Sequence, residues 1–513
     1  MLSNKVLYAS LLFLLVLDLG YTFLQQYALP LDGDLAPIVV PSEKYEAVMS
    51  SPFGWKAIRQ DTAYAGVNRF FIHWGMYHYF RNAPLLLQWV ASPIDSAYLS
   101  AAVLKTAFHA ALLGLLVLYI GRFLSLPFRS WLLPAILVAP LLQSAGYYAN
   151  LMAVVEGAPT YACFYAFPAI LLLLYYYPAY LAFVRERPVS LGWGGRLGGF
   201  ALAVVLPFTG PLAPGIVLVL SLLAGLHWGH RFFVKNEKET LAGFYRLLPA
   251  GYWASMAMLN LLCLYSLYVG TFNIEQNDAL GLFGRYAKLP EGLFHQFTRK
   301  PGPSVLLLMV LANALLLHYK VKNEQARQAL RILRWIGLFS LIYILLLPLG
   351  GYRDYRALII RRDTILPILL ALFYFWGLSA TLLMLAGRSK WASFAMAPAV
   401  KRRWTSKIKN FSRLVETGHP SQIKKDPWPW YFGLAIAALL LFTLADEPNF
   451  DANACQRAAF EQLQKASSGV VRLSDDCLVL AWAPVNDPAY SRLPCTLLSI
   501  WGIVEEGRRF YQE

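Results

Sequence analysis

Apolar residues run almost unbroken through eleven stretches of the chain, at roughly 6–28, 97–120, 131–150, 160–184, 197–211, 214–229, 247–270, 304–319, 335–350, 364–386 and 429–445. A helix needs roughly 20 such residues to cross the hydrocarbon core of a bilayer, so each stretch reads as a spanning helix. The ten-residue alternation of a membrane β-barrel does not occur. The fifth and sixth stretches are short and joined by FTGPLAPG (208–215). They form either two thin helices or a re-entrant pair, and both choices return the chain to the same side. Asp18 interrupts the first run, and no small-x-small site stands before PLDGD. That run is therefore expected to stay as an anchor rather than be cleaved as a signal peptide. No internal repeat is visible.

Composition agrees with this pattern. Of 513 residues, 58% are hydrophobic and 14% charged, against about 25% charged in soluble proteins; the mean hydropathy is +0.47. The expected fold is an all-α polytopic membrane protein of about 11 transmembrane helices with a cytoplasmic N-terminus. With that orientation the cytoplasmic pieces carry 25 basic residues against six acids, and the outer pieces 19 against 22. The net charge of +16 is thus explained by the positive-inside bias, aided by anionic inner-leaflet lipid. It calls for no nucleic acid partner. A plasma (inner) membrane location follows, with the C-terminal tail on the extracytoplasmic side.

Residues 1–445 form the membrane domain. Its larger non-membrane pieces are a first outer loop (29–96), a second outer loop (271–303), an Arg-rich outer loop (351–363) and a basic cytoplasmic segment (387–428) with an amphipathic KRRWTSKIKNFSRLV. Residues 446–513 read as a small α/β unit: a helix in ANACQRAAFEQLQKA, then strands in VVRLS and CLVLAWAPV. This tail is also a candidate surface for a protein partner. Cys163 and Cys263 fall in apolar runs and read as small buried hydrophobes. Among Cys455, Cys477 and Cys495, an oxidising compartment would allow one disulfide and leave one thiol over.

Charges at lipid depth are costly and seldom idle. Asp18 and Lys105 lie at similar depth on consecutive antiparallel spans, so an intramembrane pair is expected, most simply as a brace between helices. More informative is GGYRDYRALIIRRDT, whose Arg353, Arg356, Arg361 and Arg362 crowd a short outer loop that the positive-inside bias should deplete. All four are arginine, the residue whose planar fork grips phosphate or carboxylate at two points. A lipid-linked phosphate suits both the location and the residue type. The plainer alternative is a headgroup-binding loop, salt-bridged to acids of the first loop.

The first outer loop opens with PLDGDLAP, placing Asp32 and Asp34 directly after the first span. Helices are expected near 42–49 and 54–60, lying on the membrane surface. Lys44, Arg59, Asp61, Asn68, Arg69 and His73 are candidate substrate contacts, interleaved with aromatics (Tyr45, Trp55, Tyr64, Phe70, Trp74, Tyr77) of the kind that stack on sugar rings. Two acids flanking a glycine are commonly a solvated turn; position alone lifts this pair. His73 and His78 lack the spacing of a zinc site.

A first helix, a long outer loop opening with acids, many further spans and an outer C-terminal unit together resemble the GT-C class of membrane glycosyltransferases. The architectural likeness covers most of the membrane chain, and the motif likeness only a few residues. The resemblance implies transfer of a sugar from a polyprenyl-phosphate donor to a glycan, lipid or protein acceptor on the extracytoplasmic side. It implies Asp34 or Asp32 as catalytic acid and Arg353, Arg356, Arg361 and Arg362 as holders of the donor phosphate. The pattern departs from the class in having DGD rather than an adjacent acidic pair, and in its small tail. No cofactor is expected, although the D-x-D spacing can hold one divalent cation between Asp32 and Asp34. Two other functions fit the same features. One is a transporter or flippase of a lipid-linked or anionic substrate, and the other a non-catalytic membrane subunit that holds a partner.

Overall fold

A computed structural model describes residues 4–142, 154–234, 243, 245–275, 280–298, 302–354, 356–395, 428–444, 448–467, 469–473 and 477–512. Eight of its helices are long and apolar enough to cross a membrane, and three shorter apolar helices cover Phe128–Leu142, Trp193–Phe208 and Tyr431–Leu444. The chain is therefore an all-α polytopic membrane protein, and each of the eleven apolar stretches coincides with one of these helices. FTGPLAPG is the turn between two separate helices, with Gly210 at a positive φ of 110°. The expected amphipathic helix at 401–415 lies outside the described residues.

Local chemistry explains where the main helices begin. Helix α1 (Asn4–Tyr27) ends before the DGD turn. Short helices α2 (Leu35–Val39), α3 (Glu43–Ser50) and α4 (Trp55–Gln60) follow, then the aromatic α5 (Phe70–Leu87) and the long α6 (Pro93–Phe123). At the start of α6 the Ser92 hydroxyl accepts from the Asp95 backbone N–H and Pro93 sits in the first turn, a favourable cap and a favourable proline. The most enclosed span is Leu366–Ala386, with 78% of its apolar window buried. At Gly377 it passes so close to the bundle that a Cβ would lie 2.6 Å from Val138 and 2.8 Å from Ile120. Polar side chains also tie the bundle. The Asn313 amide donates to Ser379 at 2.9 Å and accepts from the Tyr431 hydroxyl at 3.0 Å, the interhelical bonding that apolar surroundings favour.

The expected Asp18–Lys105 pair is not formed. Lys105 is fully buried, and its ammonium donates to the Gly157 carbonyl at 2.7 Å. The carboxylates that act on it are Asp32 and Glu156, both on loops at one end of the bundle. Two carboxylates and a carbonyl thus surround the ammonium in place of the single carboxylate of Asp18.

The tail also differs from expectation, because it is not a separate unit. It shares one apolar core with the 29–96 loop, including Leu35, Val39, Phe80 and Tyr98 from the loop side and Phe460, Leu498, Trp501 and Phe510 from the tail. Gln456 bonds both the N–H and the carbonyl of Leu31, at 2.8 and 3.0 Å. The Trp501 indole donates to the Phe80 carbonyl at 2.7 Å. Arg457 pairs with Asp95 at 2.6 Å and lies over the Tyr98 ring. The helix Ala454–Lys465 and strand β1 (Val470–Leu473) form as the pattern predicts, but CLVLAWAPV forms no strand. Strand β1 pairs in parallel with β2 (Arg509–Gln512) at the end of the chain. The apolar residues of CLVLAWAPV instead pack beneath the loop, with Val479 and Leu480 buried. Cys455 and Cys477 are joined in a disulfide, and Cys163, Cys263 and Cys495 are buried thiols.

Gly33, between the two acids, is the tightest of these junctions. A Cβ there would lie 2.5 Å from the Ala481 carbonyl carbon and 2.6 Å from the Trp482 nitrogen, both of them backbone atoms that cannot swing aside. Gly33→Ala should therefore part the DGD turn from the tail and destabilise the protein by about 1–3 kcal/mol, as overpacking does. Gly20→Ala, with nothing within 4 Å, should be nearly neutral. Thermal unfolding of the two variants in detergent checks this, and equal midpoints would contradict it.

Candidate functional site: a charged cavity at one end of the bundle

The DGD turn, the start of the Pro159–Val184 helix, the loop after the Ala250–Gly270 helix, the loop before the Leu366–Ala386 span and the tail all border one cavity of about 980 Å³. Segments that the charge pattern assigns together to the outer side thus meet at one end. The cavity is lined by six cationic side chains, Lys44, Arg69, Arg353, Arg356, Arg361 and Arg362, against four carboxylates, Asp34, Glu156, Glu275 and Asp363.

Two acids organise the cations. Glu275 faces Arg353 at 3.0 Å, Lys44 at 3.2 Å and Arg69 at 3.6 Å, and accepts from the Tyr45 hydroxyl at 3.3 Å. Burial pushes its carboxyl up, but Arg69, Arg353 and Lys44 more than offset this and hold it down at about 2. Asp363 accepts from Arg356 at 3.0 Å and from two nitrogens of Arg361 at 3.0 and 3.1 Å. Despite burial, those guanidiniums hold its carboxyl below the ordinary value. Arg362 pairs with Glu156 at 2.5 Å. Burial raises the Glu156 carboxyl even so.

Aromatic rings back the guanidiniums. The helix Pro159–Val184 opens with a π-turn over Ala162–Ala166, the widened turn often found where a helix must present side chains to a site. It directs Tyr161, Phe164 and Tyr165 to the cavity wall. Arg69 lies over Phe164 at 5.0 Å and Arg356 over Tyr161 at 5.2 Å, while Arg356 also donates to the Tyr165 hydroxyl at 3.2 Å. Trp482 from the tail stacks on Tyr161 at 5.8 Å between centroids. The arginine loop is seated by Gly292, where a Cβ would lie 2.8 Å from Ile360, and by the Gln296 amide donating to the Ile360 carbonyl at 3.4 Å.

The two acids of DGD have different surroundings. Asp32 is buried, and each of its carboxylate oxygens is engaged. One accepts from Thr160 Oγ1 at 2.8 Å and from the Asp34 N–H at 2.9 Å, and the other from the Thr160 N–H at 3.0 Å. Burial pushes its carboxyl up to about 6 against the hydrogen bonds from Thr160. Asp32 ties the turn to the Pro159–Val184 helix. Asp34 lines the cavity, and among the described residues its carboxylate takes no hydrogen bond. Asp32 is thus committed to donors of the protein itself, which leaves Asp34 as the DGD carboxylate facing the cavity. Among the described residues no three His, Cys, Asp or Glu side chains gather as metal ligands.

Of the remaining candidates, Lys44 and Arg69 line the cavity with the four arginines. Arg59 and Asp61 do not, because both are exposed around the end of α4, where Asp61 takes a left-handed φ of 47°. Asn68 also lies outside the lining. It donates to the Ser266 carbonyl at 3.2 Å and pins the loop to the Ala250–Gly270 helix. His73 is buried behind the wall, 4.9 Å from the Tyr45 ring and 5.8 Å from Phe164. Burial, with Arg69 nearby, lowers it to about 3 and keeps it neutral. Sequence reasoning missed Glu156, Glu275, Tyr161 and Trp482. A signal existed for the acids, since each stands near the end of an apolar run on the same side as the unmatched arginines. None existed for Trp482, which lies in the stretch misread as a strand. No protein-family model, curated protein or solved structure matches the chain.

The depressed Glu275 carboxyl has a measurable consequence. A group ionised more readily in the folded than in the unfolded chain adds stability above its ordinary value, here 4.5, and loses it as pH falls toward the folded value, here about 2. That difference corresponds to about 3 kcal/mol. Glu275→Gln should therefore cost about 3 kcal/mol at neutral pH, with the deficit shrinking as pH drops below 4.5. Thermal unfolding of both proteins across pH 3–7 reads it, and a deficit independent of pH would refute the assignment.

Proposed function

We propose that the protein is a membrane glycosyltransferase of the GT-C kind, acting on the extracytoplasmic side of the inner membrane. Its donor is a polyprenyl-phosphate-linked sugar, and its acceptor carries a hydroxyl group. The observation that carries this reading is the convergence of Asp34 with six cations in one cavity at the end of a helical membrane bundle. In the reaction, the Asp34 carboxylate takes the proton of the acceptor hydroxyl as its oxygen attacks the anomeric carbon. The bond from that carbon to the phosphate oxygen breaks, and its electron pair leaves on the phosphate. Charge then grows on the phosphate, where fixed guanidiniums stabilise it best. Arg356, Arg361 and Arg362 supply that stabilisation, held in place by Asp363 and Glu156.

This reading gives Asp32 a positioning part, because its carboxylate accepts from the Asp34 backbone and from Thr160. On this reading the guanidiniums supply the positive charge beside the departing phosphate. The carrier alternative draws on the buried Lys105. Against it, the charged groups lining the cavity gather at one end of the bundle.

Asp34→Asn should lower transfer by about 10²–10⁴-fold, the usual worth of a general base, while thermal stability stays near wild type. Asp32→Asn should disturb the turn and lower stability as well. Full product formation by both variants would end the catalytic assignment. Separately, mass spectrometry of co-purified lipid should find a polyprenyl phosphate with wild type and much less with Arg361→Ala/Arg362→Ala. Equal retention by the two proteins would count against the arginines as phosphate holders.

A further inference from the structure

The tail segment 446–513 carries two tryptophans, Trp482 and Trp501, and the fold treats them oppositely. Trp501 is wholly buried, and its indole donates to the Phe80 carbonyl. Trp482 follows the buried pair Val479 and Leu480, yet it keeps 53% of its surface and lines the charged cavity. Among the described residues its indole N–H donates to no protein atom. The core of the tail thus takes one indole, and the cavity takes the other.

The position of Trp482 links the acid to the cations. Its ring touches the DGD turn, since a Cβ on Gly33 would lie 2.8 Å from its Cδ1, and Asp34 is the next residue. The same ring stacks on Tyr161, with centroids 5.8 Å apart and planes 17° from parallel. Arg356 lies over that Tyr161 ring at 5.2 Å, and the charges of Arg356 and Asp34 both act on the Tyr161 phenol. Tyr161 and Trp482 therefore form an aromatic stretch of wall running from Asp34 to Arg356. In the transfer reaction the anomeric carbon lies between the acceptor oxygen at Asp34 and the phosphate at Arg356. The sugar that carries this carbon is brought against the two rings.

We propose that Trp482, together with Tyr161, is a stacking platform for the sugar of the donor, taking the C–H face of a pyranose ring. Aromatic faces are negative and meet the weakly positive hydrogens of sugar C–H bonds, while the contact removes apolar surface of both partners from water. The unengaged indole N–H is a donor for a hydroxyl at the edge of the ring. The place of the sugar between base and phosphate rests on the transferase reading; the platform itself does not.

The probes are farnesyl phosphate esterified to glucose, galactose or mannose, with farnesyl methyl phosphate as the reference. The reference is a phosphodiester of the same charge that lacks the ring. Binding is read by native mass spectrometry of the full chain in an amine-oxide detergent, which brings no sugar of its own. Wild type should hold at least one sugar-bearing lipid roughly 3–10-fold more tightly than the reference, the worth of an aromatic stacking contact. Trp482→Ala should erase that advantage while holding the reference as wild type does, which shows that the fold survives, and Trp482→Phe should restore it. No advantage for any of the three sugars with wild type overturns the proposal, as does an advantage that persists in Trp482→Ala. Equal weakening of reference and sugar-bearing lipids by Trp482→Ala also overturns it, because a tryptophan that only anchors the tail at the bilayer would act that way. The measurement needs no turnover. An advantage lost in Trp482→Ala while Asp34→Asn keeps full transfer would sink the transferase and spare the platform. An advantage kept in Trp482→Ala while Asp34→Asn abolishes transfer would do the opposite.

Discussion

Holding six cations around one cavity costs energy unless something stands between them, and here Glu275, Asp363 and Glu156 do. Glu275 gathers Lys44 and Arg69 from the first outer loop and Arg353 from the arginine loop, Glu156 reaches Arg362, and Asp363 fixes Arg356 and Arg361 within their own loop. The site depends on these few ion pairs because they draw otherwise separate loops to one end of the bundle. A buried pair is a weak source of net stability, since desolvation offsets most of the attraction, but losing one partner is expensive. The acids are therefore better understood as fixing geometry than as adding stability. They keep guanidiniums close together around the cavity.

Packing supplies the precision that charge lacks. Aromatic rings behind Arg69 and Arg356 restrict where each guanidinium can point, and the π-turn at the start of the Pro159–Val184 helix places those rings. Two glycines admit close approaches at the site: Gly33 lets the tail backbone lie against the DGD turn, and Gly292 lets the arginine loop lie against a helix. The tail is thus part of the site. Through Gln456, Arg457 and Trp501 it clamps the loop from behind, and through Trp482 it enters the cavity wall. A loop of 68 residues (29–96) would otherwise have considerable freedom.

The buried group Asp32, Lys105 and Glu156 ties this end of the molecule to the membrane bundle. Lys105 comes from the middle of a span, Asp32 from the turn after α1 and Glu156 from the loop before the next helix, which Thr160 joins to Asp32. An ammonium among two carboxylates is better matched than one facing a single acid, so Lys105 turns from Asp18 toward Asp32 and Glu156.

Much of the architecture was legible along the chain, because an apolar run long enough to cross lipid has few other uses and the backbone inside it must be helical. The eleven runs, the short surface helices near 42–49 and 54–60 and the importance of the arginine loop all follow from local pattern. What failed was whatever required a partner to be named. Depth alone matches Asp18 to Lys105, and depth cannot tell which way a long side chain turns. The apolar run in CLVLAWAPV suggests a strand, but its residues are apolar to cover a loop. Arg59 and Asp61 looked equal to Arg69 in sequence, yet α4 turns them to solvent. Hydropathy and composition act locally, so the chain read linearly already establishes a helical membrane protein with an unusual arginine cluster in one loop. That Asp34 rather than Asp32 faces the cavity, and that Glu275 gathers three cations, emerges only in the folded molecule. Those facts arise from which distant segments meet, and that is set by packing and charge pairing across the whole chain.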